Sequence, residues 1–175
     1  SGKLKGTEVY ECKGFETVGD REIKCVNVFG HGTETVQGAL MDSCNAALMQ
    51  MVRTIGKEDF CKYQSIFGMG LKTNIDLPGE ARTDTLVRSL EETTPVDLAT
   101  ESFGQNYNCT IIQMISAFSS IINGGNYYQP HVVSKITDQN GNTVKELQPQ
   151  LLKQTVSQDT SMKMRQYLYA TVSDG

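Results

Sequence analysis

The sequence predicts a mainly α-helical chain that carries small β-hairpins. Three stretches repeat apolar residues at the spacing of an amphipathic helix, at 44–55, 57–67 and 109–123. Short β-prone stretches are instead joined by strong turn signals, at Gly19-Asp20 and at Asn140-Gly141. Long helical patterns combined with brief hairpins place the chain in the mainly α class.

Composition and charge exclude several classes of protein. A chain of 175 residues can form one domain with a sizeable core, and its 38% apolar and 21% charged residues are typical of a water-soluble globular protein. The formal net charge is −4 and no basic cluster occurs, so we expect no nucleic-acid partner. No apolar run reaches the length of a membrane span, and no signal-peptide pattern opens the chain. No phosphate-binding or cofactor motif is evident, so we expect no cofactor.

The first part of the chain is predicted to hold a hairpin followed by helices. The candidate strands are residues 7–12 and 22–28. Thr33 is the predicted cap of a short first helix. Ser43 is the predicted cap of the next helix, over about 44–55, because serine and threonine hydroxyls accept hydrogen bonds from free N–H groups at helix starts.

The rest of the chain alternates an irregular stretch with further helices. Residues 71–95 contain few apolar side chains and predict an extended surface excursion. Pro95 marks the start of a short helix. The helix over 109–123 is apolar around most of its circumference, so it is predicted to be buried on nearly all sides. The last elements are a hairpin and a helix, at 131–136 with 143–145 and at about 157–172.

The tripeptide Ser43-Cys44-Asn45 is the most informative short motif. A serine before an apolar helical run is ordinarily an N-cap. A serine and an asparagine two residues apart at a helix start can also both face a cleft, where the hydroxyl donates and accepts protons and the amide holds a carbonyl. Capping and chemistry are compatible, so the residues alone leave both roles open.

In its order of motifs the chain resembles the transpeptidase domain of class B penicillin-binding proteins, which cross-link bacterial peptidoglycan. The resemblance covers roughly residues 7–175. It rests on Ser-x-Asn at 43–45, the stretch containing Ile-Asp-Leu-Pro-Gly-Glu at 67–81, Ser-Phe-Gly-Gln at 102–105 and the Asn-Gly-Gly helix end at 123–125. It implies the helical lobe of a β-lactamase-like α/β domain whose core sheet is mostly missing from this chain.

The resemblance also implies roles for two residues. Ser43 would relay a proton to the leaving amine during acylation, and Asn45 would position the substrate peptide or the side chain of a penicillin. The family's other motifs, Ser-x-x-Lys and Lys-Thr-Gly, do not occur in these 175 residues. Lys72 precedes a threonine but lies in the 67–81 stretch, so we interpret it as a surface lysine. Because acyl transfer needs an activated nucleophile, we expect this chain by itself to be inactive.

The implied parent protein is a serine-type D,D-transpeptidase that acts on peptidoglycan stem peptides and is acylated by β-lactams. Its expected location is the extracytoplasmic face of the bacterial membrane, to which the parent is anchored. Two alternatives share the fold: a β-lactam sensor domain and a non-catalytic cell-wall scaffold. The helices at 109–123 and near the C-terminus would lack some of their partners, so the chain is expected to expose apolar surface and to self-associate.

We divide the chain into four segments and assign no chemistry to its histidines. The segments are a β-hairpin region at 1–32, the helical lobe at 33–125, a β-hairpin at 126–150 and a C-terminal helix at 151–175. Both histidines lack a carboxylate at a suggestive spacing and are interpreted as structural. Several acidic residues are interpreted as solvated surface charges: Glu80, Glu91, Glu92 and Asp97.

Five cysteines leave several arrangements open. Cys12 and Cys25 flank the first predicted hairpin and could face each other across two strands. They are either free thiols or a disulfide, which would fit the extracytoplasmic location that the resemblance implies. The sequence argues against a zinc site from these two cysteines and His31, because it has no paired Cys-x-x-Cys and shows no fourth ligand. The remaining cysteines are predicted to be small buried hydrophobes: Cys44, Cys61 and Cys109.

Overall fold

The computed structural model describes residues 2–173 and confirms the mainly α class with small antiparallel strand pairs. The chain forms two compact units. The first combines the residues up to Gln64, Arg88–Asn108 and the residues from Lys163 onward, and the second combines Ser65–Val87 and Cys109–Met162. Within the described range, none of the helices has both the length and the apolar character needed to cross a bilayer.

The first unit opens with two antiparallel strand pairs. Strand β2 (Phe15–Val18) and strand β3 (Arg21–Lys24) form the hairpin whose turn the sequence predicts. Strand β1 (Val9–Cys12) pairs instead with β4 (Gly32–Thr35), which the sequence analysis missed.

The predicted pairing of Cys12 with Cys25 across two strands is therefore wrong. Cys12 lies opposite Gly32, and Cys25 follows the end of β3. The physical reason is that β3 pairs with β2 and not with β1. The Cys25 N–H extends this hairpin by donating to the Gly14 carbonyl at 2.8 Å, and β1 pairs with β4.

The helices of the first unit have caps that the structure identifies individually. Thr35 caps the first helix by accepting from the Gly38 N–H, and Thr33 does not because it lies inside β4. Thr94 and Asp97 form a reciprocal capping box, so the prediction that Asp97 is a solvated surface charge is wrong. The helices are α1 (Val36–Met41), α2 (Asn45–Ile55), α3 (Lys57–Ile66) and α4 (Pro95–Glu101).

The core of the first unit is built around the buried side of α2. This helix repeats small and apolar residues on one side, and that side is buried. Its partners come from the strands and from α1. The largest buried cluster is Tyr10, Cys12, Cys25, Ala39, Cys44, Ala46, Ala47 and Met51. Three of its eight members are thiols, which is an unusual way to fill a core.

The second unit contains one long helix and two strand pairs. Helix α5 (Ile111–Ile122) begins at a Thr110 capping box. The predicted hairpin is confirmed as β6 (Lys135–Thr137) paired with β7 (Thr143–Glu146). The sequence analysis missed the pairing of β5 (Asn126–Tyr128) with β8 (Leu151–Gln154). Helix α6 (Gln158–Ser173) begins in this unit, near the predicted start.

The prediction that the helix at 109–123 is buried on nearly all sides is wrong. The side that α5 buries is polar or small, and it includes Gln113, whose amide donates to the Leu71 carbonyl at 2.7 Å. Its apolar side is open, with Ile111 80% exposed. The expected exposed apolar surface is thereby confirmed. Five residues at helical spacing form what we call the α5 stripe: Ile111, Met114, Ile115, Phe118 and Ile122.

A buried carboxylate organises the chain around α4. The Glu101 side chain is almost fully buried, and it accepts from the Arg88 guanidinium at 3.2 Å and from the Gln64 amide at 2.8 Å. Arg88 also donates to the Asn106 carbonyl at 2.6 Å. One guanidinium therefore neutralises a buried charge and fastens the segment that follows α4.

We expect Arg88→Met to lower the free energy of unfolding by about 3 kcal/mol, because loss of the partly exposed Arg88 guanidinium leaves the buried Glu101 carboxylate without its positive partner. The value lies at the low end for such pairs because Gln64 still donates to Glu101. Urea denaturation followed by circular dichroism measures it. Arg82→Met is the matched control: its ion pair with Asp84 is exposed, so the change should be below about 1 kcal/mol. Equal effects of the two substitutions would contradict this account.

Candidate functional site

Ser43 lies in the tight turn that joins α1 to α2. The turn is closed by backbone hydrogen bonds from the Asp42 N–H to the Gly38 carbonyl and from the Cys44 N–H to the Ala39 carbonyl, each 2.8 Å long. Ser43 is exposed, and its φ of 50° places it in the left-handed region. The turn therefore holds the serine outward, at some cost in backbone strain.

The prediction that Ser43 caps α2 is wrong, because the cap is the next residue. Cys44 has extended backbone angles (φ −75°, ψ 99°), and its Sγ accepts from the Ala47 N–H at 3.5 Å. An N-cap needs the extended conformation that Ser43 lacks. The serine hydroxyl is consequently not committed to the helix end.

Asn45 is the first residue of α2 and is half-buried. Its side-chain amide donates to the Lys24 carbonyl at 3.3 Å, which orients the group. Ser43 and Asn45 lie neither in the middle of a helix nor in the core. The motif thus presents two polar side chains at a helix start, with a buried cysteine between them.

That cysteine belongs to a cluster of three thiols and one imidazole. The ligand atoms of Cys12, Cys25, His31 and Cys44 all lie within 4.8 Å of one another. The Nδ1 atom of His31 is 3.5 Å from the Sγ atom of Cys12 and 3.7 Å from that of Cys25, and the Cys25 and Cys44 sulfurs are 3.9 Å apart. These are donor types that bind transition metals.

The sequence analysis missed the fourth member of this cluster. The sequence predicts that Cys44 is buried within an apolar helical pattern, and the burial is confirmed. Cys44 lies instead at the N-cap, from which its sulfur reaches the two cysteines near the hairpin. No local signal could reveal this, since the residues that meet are up to 32 positions apart in sequence. All five cysteines are free thiols here, so the possible Cys12–Cys25 disulfide stays a prediction.

The thiols of the cluster have different environments. Burial raises the pKa of Cys25, but backbone N–H donors, first that of Ala46 and then that of Asn27, outweigh it and lower the pKa to about 7. Burial raises the pKa of the Cys44 thiol to about 12. One thiol is therefore surrounded by groups that stabilise a negative sulfur, and its neighbour lies in the drier part of the same cluster.

The Ile-Asp-Leu-Pro-Gly-Glu stretch forms a loop that is closed by its carboxylates. Asp76 accepts from the N–H groups of Val132 and Val133, at 2.8 and 2.9 Å, and these bonds hold its pKa below the ordinary value. Glu80 accepts from both the N–H and the hydroxyl of Thr73, at 2.6 and 2.7 Å. The prediction that Glu80 is a solvated surface charge is therefore wrong. Lys72 beside it is exposed, as predicted.

Comparisons with known proteins point to one family. The family model described as the penicillin binding protein transpeptidase domain matches residues 1–175. Stage V sporulation protein D of Bacillus subtilis is 36% identical to the chain over 173 residues, which are 98% of this chain and 26% of that protein. The chain thus spans about a quarter of the length of this relative.

Solved structures agree with this at the level of the fold. The D,D-transpeptidase domain of a peptidoglycan glycosyltransferase from Eggerthella lenta superposes with a TM-score of 0.87 at 23% identity, covering 99% of this chain and 45% of that one. Penicillin binding protein 3 from Mycobacterium tuberculosis, complexed with aztreonam, gives a TM-score of 0.83 at 25% identity, covering 96% of this chain and 37% of that one. More than half of each solved chain has no counterpart here.

We expect Ser43→Gly to be more stable than Ser43→Ala by about 1 kcal/mol, because glycine adopts the left-handed conformation of Ser43 without the penalty of a Cβ. Thermal unfolding of both variants measures the difference. Ser119→Gly and Ser119→Ala form the matched control pair, because Ser119 is an exposed residue inside α5. There glycine should be the less stable variant by about 1 kcal/mol. The same sign at both positions would show that the turn does not strain Ser43.

Proposed function

Because the chain belongs to the penicillin-binding protein transpeptidase domain family, we propose that it is part of a peptidoglycan D,D-transpeptidase and carries that enzyme's Ser-x-Asn element. The observation that carries the proposal is the family match over the whole chain. The geometry of the motif supports it, since Ser43 is exposed and Asn45 is accessible at the start of an 11-residue helix.

In this proposal Ser43 is a proton relay. Its hydroxyl can accept a proton from one partner while it donates its own to another, which is what departure of an amine from an acylated serine requires. The hydroxyl is free for this because Cys44 caps the helix. The backbone bonds on both sides of Ser43 hold its position, so little reorganisation accompanies the proton transfer.

Asn45 is the substrate-positioning residue of the proposal. Its amide nitrogen donates to the Lys24 carbonyl, and its amide oxygen is an acceptor suited to the N–H of a peptide substrate. The proposed substrates are peptidoglycan stem peptides, with β-lactams as acylating inhibitors. The aztreonam complex of the solved relative supports the second part.

The comparisons favour this function over the two alternatives that the sequence raises. The matching family model and the solved relative are both described as transpeptidase domains. Neither description names a β-lactam sensor or a non-catalytic scaffold. We further propose that the parent protein is anchored in the bacterial membrane and works on its extracytoplasmic face, where peptidoglycan lies.

The proposed function predicts that residues 1–175 alone are not labelled by a fluorescent penicillin. Covalent labelling needs a serine activated by a base, and these residues contain no Ser-x-x-Lys. Gel fluorescence after incubation with the probe measures labelling.

The longer parent protein is the positive control and should be labelled. Ser43→Ala in that protein should slow acylation by about a hundredfold, within the usual range for loss of a proton-transfer group, without changing the thermal unfolding temperature by more than a few degrees. A strong band from residues 1–175 that disappears on Ser43→Ala would make Ser43 the nucleophile and overturn the assignment.

We propose that the α5 stripe is covered by the rest of the transpeptidase domain in the parent protein and by a second copy when the chain is alone. Its five apolar side chains are exposed together on one side of α5. Burial of a few hundred Å² of such surface contributes several kcal/mol at about 25 cal/mol per Å². Apolar side chains that are exposed together in this way commonly mark a protein contact.

The isolated chain is therefore predicted to form dimers or larger species in multi-angle light scattering. Phe118→Asp should shift it towards the monomer, because a carboxylate in the middle of the stripe opposes burial. Val144→Asp is the matched control, since Val144 is 67% exposed on β7 and lies outside the stripe. A monomeric wild-type chain, or equal effects of the two substitutions, would contradict the proposal.

A further inference from the structure

We propose that Cys12, Cys25, His31 and Cys44 form a structural zinc site, in which three thiolates and the imidazole Nδ1 hold one Zn²⁺ ion. The site is independent of the proton-relay role of Ser43 and does not require acylation chemistry. It reverses the expectation from the sequence, which argued against zinc because a fourth ligand was not visible.

The spacing of the ligand atoms fits a tetrahedral zinc ion. With Zn–S bonds of about 2.3 Å and a Zn–N bond of about 2.05 Å, a regular tetrahedron places two sulfurs about 3.8 Å apart and a sulfur about 3.6 Å from the nitrogen. The structure has 3.9 Å between the Cys25 and Cys44 sulfurs. The His31 Nδ1 atom is 3.5 and 3.7 Å from the sulfurs of Cys12 and Cys25. The cluster therefore matches zinc geometry along each of these edges.

Burial favours a structural ion over a catalytic one. All three cysteines are buried: Cys12 is 2% exposed, Cys25 is 4% exposed and Cys44 is 0% exposed. His31 is half-buried. Four protein ligands close the coordination sphere, whereas catalytic zinc keeps one position for water or substrate. The ion would join the end of β1, the residue after β3, the loop before β4 and the N-terminal end of α2.

The backbone around the cluster is shaped to bring these segments together. A Cβ on Gly30 would lie 2.3 Å from the Cys12 carbonyl oxygen, so only glycine permits this approach beside His31. The turn that leads to His31 is held by the Asn27 side chain, which donates to the Gly30 carbonyl and accepts from the Phe29 N–H, both at 3.0 Å. The imidazole is thus presented by a rigid turn.

Backbone N–H groups around the sulfurs suit a metal-bound thiolate. The Cys44 sulfur accepts from the Ala47 N–H at 3.5 Å. The backbone N–H groups of Ala46, Asn27 and Asn45 lie near the Cys25 sulfur. Three thiolates around Zn²⁺ leave a net charge of −1, and the N-terminal end of α2 is the positive end of its dipole. The surroundings therefore supply both the outer hydrogen bonds and the compensating charge that such sites use.

Zinc accounts for all four side chains, whereas a disulfide accounts for two. A Cys12–Cys25 bridge would leave the Cys44 sulfur and the imidazole of His31 beside it but not bonded to it. On zinc binding each of the three thiols releases its proton to solvent and the ion takes their place, so no oxidant or reductant is needed. Three sulfurs and one nitrogen in tetrahedral array favour zinc over harder cations, which prefer oxygen ligands.

The site would also position the Ser-x-Asn motif, a consequence that rests on the proposed function. Cys44 is the middle residue of that motif, so a metal bond to its sulfur would hold the turn that carries Ser43 and the first residue of α2. Loading the chain with metal measures metal binding and not acylation. Failure of the zinc proposal and failure of the proposed function are therefore distinguishable.

The test loads the reduced, metal-free chain with Zn²⁺ or Co²⁺. We expect the chain to retain one equivalent of zinc after desalting. Inductively coupled plasma mass spectrometry measures the retained zinc. We expect Co²⁺ to give the strong visible absorption of a tetrahedral thiolate complex, together with a higher unfolding temperature in the loaded protein. Cys44→Ala and Cys12→Ser should each abolish the retained equivalent and the cobalt spectrum.

Cys61→Ser and Cys109→Ser are the matched controls, because these thiols are half-buried outside the cluster; both variants should bind metal as the wild type does. Where a ligand variant does not fold, removing zinc from the wild type with a chelator provides the second measurement, and it should lower the unfolding temperature. Retention of no more zinc by the reduced wild type than by Cys44→Ala would overturn the proposal. Loss of binding in Cys61→Ser or Cys109→Ser, or an octahedral cobalt spectrum, would also overturn it.

Discussion

The first unit depends on the convergence of four chain segments at the N-terminal end of α2. This is where buried sulfurs replace the larger apolar side chains that usually fill a core, and where backbone N–H groups of the first helical turn are directed at them. The geometry couples two features of the molecule. The same residue, Cys44, caps the helix and closes the cluster, so the position of the turn that carries Ser43 depends on the packing of the strands near Cys12 and Cys25.

Carboxylate side chains hold the backbone in place where the chain has little regular structure. Glu80 and Asp76 accept backbone N–H groups that no strand or helix satisfies, and Asp97 does the same at the start of α4. Glu101 is the buried example, held by Arg88 and Gln64. In each case an acidic side chain supplies the acceptor that secondary structure would otherwise provide. The long irregular stretch before α4 can therefore keep a defined shape with few apolar contacts.

Helix α5 buries its polar side and leaves its apolar side exposed. Its buried side carries Gln113 and Ser120, each with a hydrogen-bond partner within the second unit. Its exposed side carries the α5 stripe. The hydrophobic effect favours burial of this apolar side. In the proposed transpeptidase domain further chain would cover this side, since the solved structures that superpose on this chain contain more than twice its length.

Local chemistry was sufficient for the sequence to determine the helices and the two hairpin turns, and the order of its motifs was sufficient to suggest the family. These features depend on residues within about ten positions of one another, such as the apolar periodicity of α2, Pro95 at the start of α4, or Asn140-Gly141 in its turn. Tertiary structure alone decided that β1 pairs with β4, that Cys44 rather than Ser43 caps α2, and that the polar side of α5 is the buried one. It also decided that Cys12, Cys25, His31 and Cys44 meet. The physical reason is that strand partners, buried faces and ligand clusters are chosen by contacts between distant segments, whose free energy no local pattern records.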